Sequence, residues 1–286
     1  MNQAAGSANA PILQLPFVAL HERLMALLSS LDAEDWHRPT ASARRNVKDI
    51  AAHLLDTAAR RLALERDGYF PPTPPPSLAS DRDLVAFLDT LNAAGEVGTQ
   101  RWSPRLLIDM LDFVGRELIA HLDSLDPFGR AIFSVAWAGE SESASWFDIA
   151  REYTERWHHH EQIHEATGRP STIQSRALYY PCLDAFLRGL PHALRDTLAP
   201  SGTIVEVVID GEAGGSWFAR REVDRWSLVD RAPSPAARVH LHQSEAWKLF
   251  TKRVTLEEAF ARFPSLRLEG DRQLAAAVVG LVAVMI

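Results

Sequence analysis

Two histidines and one glutamate are the residues of this chain whose types and spacing could hold a metal ion. Glu155 and His159 stand four apart in Glu155-Arg156-Trp157-His158-His159, and on an α-helix residues four apart lie one turn above each other on the same face. His53, near the end of Asp49-Ile50-Ala51-Ala52-His53-Leu54, would close the site from a neighbouring helix. Two imidazoles and one carboxylate hold a divalent ion and leave a coordination position open, which is the arrangement of a catalytic rather than a closed structural metal. The spacing leaves alternatives. His158, three residues after Glu155, is a rival partner to His159, and His160 with His164 forms a second four-apart pair on another face of the helix, since each residue turns the helix by about 100°. A fourth side chain, His158 or His164, would make the site a closed one. Glu117-Leu118-Ile119-Ala120-His121 repeats the glutamate-to-histidine spacing elsewhere, so the spacing does not single out a site by itself. The five remaining histidines outside the His53 and Glu155 segments, His21, His37, His192, His240 and His242, have no acidic or imidazole partner at a ligand spacing and read as surface or structural residues.

The elements that must position these groups are helical up to about residue 170. Leu13, Phe17, Leu20, Leu24, Leu27 and Leu28 form one apolar stripe over Pro11 to Leu31. A second helix is expected from about Val47 to Arg66, ending before Gly68. The run Pro71-Pro72-Thr73-Pro74-Pro75-Pro76 forbids helix and reads as a stiff connector. Helical pattern resumes over Asp81 to Arg101, a further helix opens at Ser103-Pro104 and runs to about Leu122, and a long one spans about Ser143 to Thr167 with Gly168 as its stop. Long helices joined by short loops imply an antiparallel bundle, and bundle cores are places where facing helices build metal sites.

Beyond Pro170 the pattern mixes. A helix over Tyr179 to Leu198 precedes short β-rich runs at Thr203 to Ile209, Ser216 to Arg221, Trp226 to Val229 and Arg238 to Leu241. Helices at Ser244 to Lys252, Leu256 to Phe263 and Arg272 to Met285 close the chain, with an extended Ser265 to Leu268 between the last two. The expectation is therefore an all-α N-terminal domain over residues 11–170 and an α+β C-terminal domain over residues 176–286.

Bulk composition bounds the partners. The chain has 286 residues, 47% of them hydrophobic, and 30 Lys+Arg against 37 Asp+Glu give a net charge of −7. With that balance and no basic run interleaved with aromatics, neither nucleic acid nor an anionic membrane is an expected partner. No apolar stretch has spanning length. Met1 to Ala10 reads as a flexible tail rather than a signal peptide. The single cysteine, Cys182, reads as a small core residue in a reducing compartment, and a cytoplasmic protein is expected. Assembly is not legible.

Three segments carry a resemblance to a known family. Trp36 and Pro39 precede Asn46-Val47-Lys48-Asp49-Ile50-Ala51-Ala52-His53-Leu54, Trp137 precedes the last long helix, and Glu155 to His159 is followed by Ala166-Thr167-Gly168. In these the N-terminal half resembles the DinB/YfiT-like four-helix bundle, and within it the mycothiol-dependent maleylpyruvate isomerase-like family. The second half is similar to the sterol-carrier-like domain that accompanies this bundle, in the order of its elements and in Leu268-Glu269-Gly270-Asp271 before a final apolar helix. Two positions depart from the family pattern: Asn46 stands where a tryptophan usually begins the second helix, and Gln162 where an acidic residue commonly follows the metal histidine.

The resemblance implies His53, Glu155 and His159 as the metal ligands, choosing His159 over His158. It implies zinc as the first candidate metal and a low-molecular-weight thiol, mycothiol or an analogue, as co-substrate. Zinc lowers the pKa of bound water to about 7 and presents a bound thiol as thiolate. The implied activity is isomerisation or transfer on a small electrophilic substrate. Glu152 and His160 are candidates for a nearby general base, and Arg220 and Arg221 for a fork that binds a substrate carboxylate. A metal-dependent hydrolase, with water in place of thiol, and a non-catalytic binding protein for metal or a small apolar ligand are the alternatives, which fold alone does not separate.

Overall fold

The computed structural model describes residues 10–42, 44–70, 81–251 and 255–283, and not the side chains of residues 81, 82, 84 and 85. The expected N-terminal tail (except Ala10), the proline run at residues 71–76 and the end of the closing helix at residues 284–286 lie outside the described residues. In chain order the elements are α1 (Phe17–Ser29), α2 (Val47–Arg61) with a π-helical turn after it (Leu62–Arg66), α3 (Asp81–Thr99), α4 (Pro104–Ser124), α5 (Ser145–Thr167), α6 (Arg176–Leu187) and α7 (Leu190–Ala193). There follow β1 (Ile204–Asp210), β2 (Gly215–Arg221), β3 (Trp226–Val229), β4 (Ala237–His242), α8 (Gln243–Phe250), α9 (Leu256–Arg262), β5 (Arg267–Gly270) and α10 (Arg272–Val279). A helical part and an α+β part are both present. No described helix is long and apolar enough to cross a membrane.

The described residues divide into two compact units, one within 16–126 and 155–173, the other within 10–15, 127–154 and 174–283. The first is helical. Its core gathers Leu24, Leu27 and Leu28 of α1, Trp36, the Val47, Ile50, Ala51, Leu54 and Leu55 face of α2, Leu107 and Leu111 of α4, and Ile163 of α5. These positions recur every three or four residues, so each helix turns one apolar stripe inward. Caps set where the helices begin. Asn46 Oδ1 accepts from the Asp49 N–H at 2.9 Å while Asp49 returns a bond to the Asn46 N–H at 3.0 Å, a reciprocal capping box. Asn46 thus starts α2 by hydrogen bonding. Ser103 Oγ caps α4 through the Leu106 N–H at 3.2 Å, with Pro104 at the first helical position.

The second unit holds a five-stranded sheet of order β3-β2-β1-β4-β5. β1 runs parallel to β4 and all other neighbours are antiparallel. Val207 at the centre of β1 stands opposite Trp217 on β2 and Val239 on β4. A separate cluster in this unit joins Val135, Phe147, Ala150 and Ala185.

Four sequence expectations are corrected. α1 begins at Phe17 rather than Pro11, because Pro16 drives the residue before it out of helical backbone. The helix expected to run to Arg66 is α-helical only to Arg61 and then widens into π turns, in which the Asp67 N–H reaches Leu62 O and the Tyr69 N–H reaches Ala63 O. The single helix expected over Tyr179 to Leu198 is two, α6, which carries Pro181 in its interior, and the short α7, with Pro191 in its first turn. The closing helix ends at Val279 with Gly280 as its cap.

Candidate metal centre

His53 comes from the second turn of α2, and Glu155 and His159 from successive turns of α5. The orientation of α5 is fixed from the opposite side. Trp157 Nε1 donates to Ile173 O at 3.1 Å from a fully buried ring, and two residues of helix rotate a side chain by about 200°. Anchoring Trp157 therefore turns the Glu155/His159 face the other way. At the C-terminal end Gly168 takes a left-handed backbone (φ 65°), which glycine adopts without a Cβ clash. Arg169 beyond it donates to Asp35 at 2.7 Å and to Ser30 O at 3.1 Å. The Arg169 guanidinium holds the Asp35 carboxyl below its ordinary range.

One ligand atom from each of His53, Glu155 and His159 lies within 4.8 Å of the others, and among the described residues this is the one such cluster of three. Glu155 Oε2 is 3.5 Å from His159 Nε2. The rings of His53 and His159 meet edge to face with centroids 4.8 Å apart. Both histidines are buried, while Glu155 is part-exposed. His53 Nδ1 is buried with no hydrogen-bond partner. Ligands on tetrahedral zinc stand about 3.4 Å apart, close to the Glu155–His159 separation. An orphaned imidazole nitrogen, a second imidazole and one carboxylate are the donors that a borderline-soft dication takes, and the set fits such an ion.

Electrostatics favour the metal-ready state of these side chains. Burial first, then the positive potential of His159, Arg45, Arg60 and His158, holds His53 well below the usual imidazole range. A proton on that ring would be desolvated beside cationic neighbours, so His53 offers a neutral ring. The other ring nitrogen of His159, Nδ1, is 2.8 Å from Gln162 Oε1, and both side chains are buried. Gln162 stood out in the sequence only as a departure from a family pattern; its position three residues after His159 on a helix was the signal for this contact.

The remaining candidates fall elsewhere. His158 is buried with its ring 5.0 Å from that of His159 but is not among the three converging donors. His160 is wholly buried, neither ring nitrogen has a hydrogen-bond partner, and the ring stacks on His164 at 5.0 Å. Glu152 is buried on α5 one turn before Glu155. Arg220 Nη2 and Nε both reach Oε1 of Glu222, the residue just past the end of β2, at 2.8 and 2.9 Å, which occupies the group expected to take a carboxylate. Arg221 is the last residue of β2 and is half-buried. The second glutamate–histidine spacing does not form a pair: Glu117 bonds Arg66 at 3.0 Å, and His121 bonds Glu65 at 3.1 Å. His21, expected to be structural, is buried with Nε2 at 2.9 Å from Asp112.

No family model matches the chain, and no curated protein matches it. Among solved structures the chain is similar to the crystal structure of the mycothiol-dependent maleylpyruvate isomerase, at 12% identity and a TM-score of 0.49, over 82% of this chain and 85% of that chain. It is also similar to the crystal structure of a mutant of that enzyme, at 11% identity and a TM-score of 0.46, with the same shares of each chain covered.

Proposed function

We propose that this chain is a metal-dependent isomerase or transferase that uses a low-molecular-weight thiol on a small electrophilic substrate. The observation that carries the reading is the convergence of His53, Glu155 and His159 from two helices, with no fourth donor side chain in the cluster among the described residues. A divalent ion held there, zinc first, would supply Lewis acidity and lower the pKa of a thiol or water at the open position. The chain's own part is to hold two imidazoles and one carboxylate in place. His53 is kept neutral by burial and by its cationic neighbours, and the part-exposed Glu155 leaves the cluster reachable from outside. The sequence resemblance supports thiol rather than water as the activated group, with mycothiol or an analogue as the thiol.

The same reading takes residues 11–170 as a DinB-like four-helix bundle and residues 176–286 as a sterol-carrier-like domain, in a cytoplasmic protein. Glu152 is the candidate base that remains, since His160 is enclosed with His164. The test is turnover of maleylpyruvate and related cis-enoyl acids by zinc-loaded protein, with and without mycothiol. Conversion that needs the thiol and is lost in Glu155→Gln supports the proposal. Thiol-independent hydrolysis of an ester or amide panel would favour the hydrolase instead, and inactivity of a fully zinc-loaded protein on both panels would point to a binding protein.

A further inference from the structure

We propose that Gln162 is a positioning residue that sets the tautomer of His159 and tunes the centre through a neutral amide. The inference rests on the reading of His53, Glu155 and His159 as ligands. Nε2 of His159 faces Glu155 Oε2 at 3.5 Å, and Nδ1 faces Gln162 Oε1 at 2.8 Å. A neutral imidazole carries one proton, and only the unprotonated nitrogen can ligate. For Nε2 to be the ligand, the proton must sit on Nδ1 and needs an acceptor there. Gln162 supplies one, its amide oxygen, from a side chain only 3% exposed. Were the amide turned over, its N–H₂ would face Nδ1, the proton would move to Nε2, and the ligand atom would be blocked. The Oε1-inward orientation is therefore the one that makes the site competent.

The amide also decides the strength of the ligand. A carboxylate in that position would draw the Nδ1 proton, make the ring a stronger donor and add a second negative charge next to Glu155. The glutamine orients the ring without either effect, which leaves the donor set at a charge of −1 and a bound dication more electrophilic. The amide thus gives up metal affinity for Lewis acidity.

Long-range ¹H–¹⁵N correlation spectra of the metal-free protein, with His159 assigned by its loss in His159→Ala, read the tautomer directly. The expected result is Nδ1–H in the wild type, retained in Gln162→Glu and lost or mixed in Gln162→Leu. Zinc competition against a chromophoric chelator should show about a 10–100-fold loss of affinity in Gln162→Leu, and a gain in Gln162→Glu. An Nε2–H tautomer in the wild type, or an unchanged tautomer and affinity in Gln162→Leu, would overturn the proposal. If the leucine variant fails to fold, Gln162→Glu carries the test alone, and weaker zinc binding there would overturn it. Failure of the underlying reading is distinguishable: no zinc uptake by any form removes the metal centre and the tuning with it, while the tautomer spectra still decide the positioning bond.

Discussion

The rings of His53 and His159 stand edge to face at 77°, with their centroids 4.8 Å apart, although one belongs to α2 and the other to α5. Burial first, then the neighbouring His159 and arginine side chains, disfavour a proton on His53. The same geometry places both rings where their nitrogens can face a cation. Glu155 supplies the anionic donor that the pair lacks.

Packing elsewhere in the helical unit is tight enough to make a one-carbon prediction. A Cβ at Gly115 of α4 would collide with the imidazole of His21, which is buried and bonded to Asp112 at 2.9 Å. The ring cannot swing aside without leaving that bond. Gly115→Ala should lower stability by about 1–3 kcal/mol, measured by urea unfolding, despite alanine's better helix propensity. An unchanged or raised midpoint would show that His21 has room to move.

Acid should weaken the fold before the carboxylates titrate. Burial pushes the His164 imidazole from the ordinary 6.5 down to about 4, and burial with the His164 and Arg23 charges pushes His160 well below 6.5. The unfolded chain binds protons at these rings first, so stability is complete above about pH 6.5 and falls as the pH drops from 6.5 toward 4. Each such ring contributes a slope of up to about 1.4 kcal/mol per pH unit in that window. Unfolding of the metal-free protein at pH 7.5, 6 and 5 checks this, and His164→Gln should flatten the slope. Stability constant down to pH 5 would contradict it.

Arg169 ties the end of α5 to Asp35 and to Ser30 O. Arg38 also reaches Asp35 at 2.9 Å, so loss of Arg169 leaves the buried carboxylate with one of its two cations. Arg169→Ala is expected to cost about 1–2 kcal/mol and to bring the Asp35 pKa back toward its ordinary value, followed by carboxyl ¹³C shifts against pH. An Asp35 titration that does not move would show that Arg38 alone holds it.

The second glutamate–histidine spacing should be inert toward metal. Glu117 is spent on Arg66 and His121 on Glu65, so Glu117→Ala and His121→Ala should bind zinc as the wild type does. Glu117, about half exposed, should change stability by no more than about 0.5 kcal/mol. Loss of zinc in either variant would place the ion on the wrong helix.

Much of the architecture was legible because it depends on local rules. The stripes of α1, α2 and α4, the Ser103-Pro104 start and the Gly168 stop are periodicity and capping, and Trp226–Val229 was bounded by its turn residues. Sheet order and the parallel pairing of β1 with β4 were not legible, since strand partners are chosen by non-local packing. At the centre, the four-residue spacing put Glu155 and His159 on one face. That Trp157 turns this face toward His53, and that Glu117 and His121 find other partners, depends on contacts with Ile173, Arg66 and Glu65 that no spacing encodes. Asn46 and Asp49 were readable as a capping box from their own spacing, a signal hidden by the comparison with a tryptophan.

The most direct test of the centre is the metal content of protein purified without a histidine tag, by elemental analysis, alongside His53→Ala and His159→Ala with circular dichroism to confirm folding. The prediction is one divalent ion per chain in the wild type, absent from both folded variants. A wild type that takes up no ion when zinc is added, or folded variants that keep it, would contradict the account.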